Sequence, residues 1–222
     1  MRCSYKPFLH TIGLDLAQAT DFTALAVLER PHVAPRAPID QRRPPYSVLH
    51  LRRFPPATPY PEMIAEVRDL MNTPPLPGAI LVVDQTGVGR AVVQLMRDGP
   101  LNQASGTFYP ITLSAGHEET ISQNGTHCVP KKELVGALQS LLQTQRLRIP
   151  RELPETALLV KELGNFKAKV TLAQAQEVDS WREGQHDDLV LAVALAAWAG
   201  EKGVPPLYDP PQLPMYTRLV PG

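Results

Sequence analysis

An α/β fold is predicted, with a mixed central sheet whose first three strands run antiparallel and whose two faces are both covered by helices. Three observations carry this. Three apolar or alternating runs, residues 10–17, 22–29 and 46–54, stand first in the chain. Strand and helix patterns then alternate, as in "GAILVVDQTGVGRAVVQLMRD". The patterned part closes in helices, and the last, in "HDDLVLAVALAAWAG", is apolar nearly all round and therefore reads as buried.

The elements follow in order. The first two runs are joined by "QATD", a link of hairpin length. "RPHVAPRAPIDQRRPP" is proline-rich and basic and reads as an exposed loop, after which "YSVLHLRRF" alternates as a third strand would. Met63, Ile64, Val67, Leu70 and Met71 recur at helical spacing, and that helix must end before Pro74. "AILVVD" is a short buried strand, "QTGVG" a tight turn and "RAVVQLMRD" the helix it opens. "GTFYPITL" predicts another strand, and "SAGHEETISQNGTHCVP" a long polar loop. "KKELVGALQSLLQTQRL" and "PETALLVKELGNF" predict helices, with "KAKVTLAQAQEV" between them and the last helix as a strand or hairpin. Beyond Gly203 the chain is proline-rich and without period, which divides it into a folded domain, 1–202, and a tail, 203–222.

Composition narrows the function classes. A chain of 222 residues suits one domain with a sizeable core. No run of about 18 uncharged apolar residues is present, and "MRCSYKPFLHTIGLDL" lacks the apolar core and cleavage site of a secretion signal, so no membrane partner is expected. Cys3 and Cys128 make neither a disulfide framework nor a metal-ligand spacing, which fits a reduced, intracellular setting. Lys plus Arg balance Asp plus Glu at 22 each, so a polyanionic partner would need a local basic patch.

Three acidic positions stand out. Asp15 ends an apolar strand, where an ionised carboxylate is costly unless it is paired or holds a metal; it could equally cap the turn after it. Asp84 repeats the pattern at the end of "AILVVD", where α/β folds collect ligands, and it too could serve as a turn or helix cap. "GVGRAVV" matches neither phosphate-loop pattern, which argues against a nucleotide there. Asp187 and Asp188 open the buried helix; only one can cap it, and the other calls for a cation. His186 beside them is either a ligand, a proton carrier or a surface residue. Carboxylates at strand ends and a helix start, without a Cys/His cluster, suit Mg²⁺ or Mn²⁺. Two such ions about 4 Å apart can activate water and stabilise the leaving oxygen in phosphodiester hydrolysis.

With "IGLDLAQATDFTALAVLE", "LVVDQTGVGRAVV", "LVKELGNFKAKV" and "HDDLVLAVALA" in this order, the chain from about residue 10 to 200 resembles the nuclease domain of the large terminase subunit of tailed bacteriophages. The resemblance implies an RNase H-like fold, related to Holliday-junction resolvases. It implies a metal-dependent DNA endonuclease that cuts concatemeric viral DNA during genome packaging, in the cytoplasm of the infected bacterial host. Asp15, Asp84 and Asp188 would be the catalytic acids, with Asp187 the adjacent alternative ligand. Many relatives carry a further acid where this chain has Leu191. Double-stranded DNA would be the substrate, and the terminase ATPase domain, the small terminase subunit and the portal the partners. No Walker A sequence occurs in the chain, so no ATPase is expected in it. A free-standing resolvase-like endonuclease acting on branched DNA is the alternative, whereas an actin-like ATPase would need Gly and Ser or Thr directly after the first acid, where "DLAQATD" has no Gly. For phosphate contact the chain offers Lys131, Lys132, Arg146, Arg148, Arg151, Lys161, Lys167 and Lys169. Lys167 and Lys169 are the preferred pair, same-facing if "KAKVT" is a strand.

Overall fold

A computed structural model of the chain describes residues 8–17, 21–33, 43–87, 89–122, 126–173 and 187–202. The strands are β1 (Phe8–Asp15), β2 (Thr23–Pro31), β3 (Tyr46–Phe54), β4 (Ala79–Asp84), β5 (Gly106–Ser114), β6 (Thr120–Ile121), β7 (His127–Pro130) and β8 (Leu147–Arg148). The helices are α1 (Tyr60–Asn72), α2 (Gly89–Asp98), α3 (Lys131–Gln143), α4 (Thr156–Ala173) and α5 (Asp188–Lys202). All eight strands join one sheet in the order β6-β7-β5-β4-β1-β2-β3-β8. β1, β2 and β3 pair antiparallel, while β4, β5 and β7 continue from β1 in parallel. The expected mixed sheet is therefore present.

Each face of the sheet has its own core, because alternate residues of a strand point to opposite sides. Ile12, Leu14, Leu25, Val27, Leu81 and Val83 pack against Met63, Ile64 and Val67 of α1 and Val92, Val93 and Met96 of α2. Ala24, Ala26, Leu28, Val82 and Ile111 face the other way, against α3, α4 and the whole length of α5. α5 is buried from Asp188 to Gly200, which explains its lack of a polar face.

α5 comes closer to the sheet than side chains ordinarily allow. A Cβ placed on Gly13, in the middle of β1, would lie 2.0 Å from the carbonyl oxygen of Ala192 and 2.8 Å from the amide nitrogen of Ala196. Small residues on the helix and none on the strand let the two backbones touch. The contact sets the height of α5 over β1. Its direction is set at both ends, where Asp188 meets Arg53 late in β3 and Glu201 meets Tyr46 at its start, so α5 runs antiparallel to β3 and β1.

A β-bulge in β3 departs from the regular alternation read from the sequence. Val27 pairs with His50 but Leu28 with Val48, leaving Leu49 as an extra residue. Before the bulge Tyr46 and Val48 face α5; after it Leu51 does, and the parity is reversed. Arg53 is thereby turned toward α5, and Arg52 toward α1, where it meets Glu66.

Two sequence expectations are corrected. Residues 114–130, expected as a polar loop, contribute β6 and β7 at one edge of the sheet; pairing with β5 supplies a reason that local composition does not. "KAKVTLA", expected to begin a strand or hairpin, is helical to Ala173 as the last part of α4, since the amphipathic run before it propagates through these residues. The rest of that segment, His186, most of the "QATD" link and the 203–222 tail lie outside the described residues. Among the described residues no helix is long and apolar enough to cross a membrane.

Gly13→Ala tests the close approach. The added methyl must push α5 off β1, and we expect a loss of about 3 kcal/mol in urea unfolding. A loss below about 1 kcal/mol would show that the helix can shift freely.

Candidate functional site

The row of residues that crosses the sheet at the carboxyl ends of β1 and β4 builds the site. Asp15 pairs in register with Asp84 on one side and with Ala24 on the other, and Ala24 pairs in turn with Arg53. Neighbours in such a row share a face, so Asp15, Asp84 and Arg53 all look toward α5. Asp188 is one helical turn before Ala192, which rests on Gly13; Asp15 is two residues beyond Gly13 on the same face. Because α5 is antiparallel to β1, these two steps lead the same way, and Asp188 comes over the row. Sequence-distant Asp15, Asp84 and Asp188 thus share one end of the sheet. Asp187 precedes Asp188 as the residue whose carbonyl accepts the first helical bond, from the amide of Leu191.

All of these acids are buried: Asp84 is 1% exposed and Asp15, Asp187 and Asp188 are 8% each. Burial on this scale demands compensation. For Asp84 it comes from the turn that follows. Oδ1 accepts the Thr86 amide at 2.9 Å and also the Thr86 hydroxyl, whose oxygen accepts the Leu113 amide from β5 at 2.9 Å. The turn role weighed for Asp84 is therefore real, and it fixes the carboxylate. Gly87 takes a positive φ of 68° within that turn, and a Cβ on Gly89 would sit 2.8 Å from the Asp84 carbonyl. The glycines of "QTGVG" serve this fold-back.

For Asp188 the partner is Arg53, whose Nη2 donates to Oδ2 at 3.0 Å. The guanidinium also lies over the Phe22 ring, 3.7 Å from its centroid. A fifth acid, Glu162 of α4, completes the cluster. Its Oε2 accepts the amides of Leu189 and Val190 at 3.0 and 3.2 Å, the second and third residues of α5. These are the amides that a helix-capping side chain satisfies, and here another helix supplies the acceptor. The other oxygen, Oε1, is buried with no hydrogen-bond partner. Burial pushes the Glu162 carboxyl up to about 7, with the Asp188 charge adding to it, against the pull of the two amides and Arg53.

The sequence reading missed Arg53, Thr86 and Glu162. Glu162 left a signal, since it falls three and four residues from Leu159 and Phe166 on the buried stripe of α4, where a Glu is out of place. Arg53 left none, because regular alternation would have put it on the other face.

The basic candidates fare unevenly. Arg146 is buried, bonded twice to Glu201 at 3.1 and 2.8 Å and to the Pro44 carbonyl at 3.0 Å, so it braces the far end of α5 and is not open to a phosphate. Lys132 is exposed and Lys131 half-buried at the start of α3. In the same turn Glu133 lies 3.8 Å from Lys202, at the end of α5 opposite Asp188, which sets these lysines apart from the acids. Lys167 and Lys169 are on α4, not on a strand, so the period-of-two argument that made them a pair does not hold. Lys161, Arg148 and Arg151 are exposed.

As donors the carboxylates fit a hard divalent ion: they are all oxygen, buried and gathered at strand ends. Asp84 is bonded to Thr86, Asp188 to Arg53 and Glu162 to the α5 amides, and among the described residues no group of three or more His, Cys, Asp or Glu converges so as to hold an ion.

No protein-family model and no curated protein sequence matches the chain. Solved structures do. The human cytomegalovirus terminase nuclease domain superposes with a TM-score of 0.54 at 15% identity, over 89% of this chain and 86% of that one. Its Mn-soaked form gives 0.53 at 14% identity, over 88% and 85%. The large terminase nuclease from thermophilic phage G20c gives 0.48 at 18% identity, over 86% and 83%. The two cytomegalovirus superpositions establish that this chain has the fold of a terminase nuclease domain, the RNase H-like fold that the motifs implied.

The raised Glu162 carboxyl predicts a pH dependence. Unfolded, the group ionises near 4.5; folded, near 7. Between these values the folded state holds the extra proton, so stability falls as pH rises through the window. Glu162→Gln keeps an acceptor and removes the ionisation. From about pH 5 to pH 8 the parent should lose about 2 kcal/mol relative to Glu162→Gln in urea unfolding. Parallel curves would refute the assignment.

Proposed function

We propose that this chain is a metal-dependent DNA endonuclease that cuts concatemeric viral DNA during genome packaging. The observation that carries the reading is the pairing of Asp15 with Asp84 in adjacent parallel strands, beneath Asp188 at the start of α5, in a terminase-nuclease fold. Mg²⁺ or Mn²⁺ would be held by Asp15, Asp84 and Asp188, with Asp187 beside them. Such ions activate a water and stabilise the leaving oxygen of a phosphodiester.

The protein's own residues prepare the site. Thr86 bridges Asp84 to β5 and removes one rotation of that carboxylate; Glu162 pins the first turn of α5 and so the backbone that carries Asp187 and Asp188. The close contact at Gly13 sets the depth of α5, and burial of the acids lowers the local dielectric in which they act. On the same reading double-stranded DNA is the substrate. The terminase ATPase, the small subunit and the portal would be partners, and the bacterial cytoplasm the place of action. Exposed Lys161, next to Glu162 on α4, remains a candidate for a phosphate contact near the acids, which would make binding weaken with salt.

Supercoiled and linear plasmid incubated with the protein and Mn²⁺, Mg²⁺ or EDTA provides the test. Nicking and linearisation should appear with metal, vanish with EDTA, and fall at least ~100-fold in Asp84→Asn, because the amide cannot replace a ligand charge. Cleavage by a folded Asp84→Asn at the parent rate would refute the assignment.

A further inference from the structure

Arg53 is not a surface cation that happens to reach an acid. A bulge in β3 turns it onto the acidic face, its guanidinium is stacked on Phe22, and it donates to Asp188. Its side chain is 14% exposed, and its Nε is buried without a hydrogen-bond partner. Its guanidinium meets the acidic cluster directly, through Asp188.

Two roles are open to such a residue. As a supporting partner it would orient Asp188 for a metal, and its loss would weaken metal binding. As a competitor it would hold Asp188 away, and its loss would strengthen binding. Geometry favours the second. With Asp188 bonded to Arg53, no three acids among the described residues converge so as to hold an ion. A dication ligated by Asp188 would stand next to a fixed positive charge in a poorly hydrated site, where repulsion is strong. The strand and the Phe22 stack restrain Arg53, so Asp188 is the group that must move.

We propose that Arg53 competes with a divalent cation for Asp188, so that Arg53 sets the metal affinity of the site and metal binding transfers Asp188 from the guanidinium to the ion. The transfer frees a planar, two-pronged donor beside the metal, suited to a phosphate oxygen of the DNA. This inference rests on the metal-dependent reading above.

Mn²⁺ titration calorimetry without DNA separates the two claims. The parent protein should bind Mn²⁺; Arg53→Gln should bind it roughly five- to tenfold tighter, and Arg53→Lys, which keeps the charge, near the parent value. In an Asp188→Asn background the gain from Arg53→Gln should largely disappear, as coupling through one carboxylate requires. A folded Arg53→Gln that binds equally well, or about 10- to 100-fold more weakly as loss of a supporting partner does, overturns the competition while leaving the metal site standing. Absence of Mn²⁺ binding by both parent and Arg53→Gln overturns the metal site itself. Should Arg53→Gln fail to fold, Phe22→Leu carries the test: loosening the stack should still tighten Mn²⁺ binding, and unchanged or weaker binding counts against the proposal.

Discussion

α5 can lie against β1 only because residue 13 has no side chain. The 2.0 Å approach that a Cβ there would make to Ala192 puts two backbones in contact and leaves almost no freedom in the height of the helix. Everything at the carboxyl end of the sheet depends on this. Asp15 stands on β1 two residues past the contact, and Asp188 begins the helix one turn before it, so both acids are referred to the same point. Asp84 joins them through the parallel register of β4.

A cluster of buried acids is a burden that the fold must offset, and it does so with a different device for each. Asp84 is held by a turn whose glycines allow the chain to fold back on it. Asp188 has a guanidinium that a bulge has re-aimed. Glu162 satisfies the amides that open α5 and keeps a carboxyl raised to about 7 by burial. The first and third devices fix the Asp84 carboxylate and the start of α5, whereas the Arg53 bond is the one that, on the proposal above, a metal would exchange.

Much of this was legible in the chain itself. Apolar runs that stop at Asp15 and Asp84 mark strand ends, and a helix without a polar face must be central, so the three main acids and the mixed sheet could be read from pattern. What could not be read is what long-range pairing decides. β6 and β7 are short, lie in a polar stretch and exist because β5 offers an edge to β7 and β7 to β6. The bulge at Leu49 reverses the facing of Arg52 and Arg53, and no local rule marks it. Glu162 caps a helix that begins 26 residues after it, a relation invisible to a local window although its place on a buried stripe was a clue. The strand premise that made Lys167 and Lys169 a same-facing pair does not hold, because α4 continues through them.

On the reading proposed above, Asp15, Asp84 and Asp188 form one divalent-metal centre. Anomalous scattering from crystals of the protein soaked in Mn²⁺ tests it most directly. Mn²⁺ density should touch the Asp15 and Asp84 carboxylates, with Asp188 turned from Arg53 toward the ion. Density elsewhere, or none at millimolar Mn²⁺ with Asp188 still on Arg53, would contradict it.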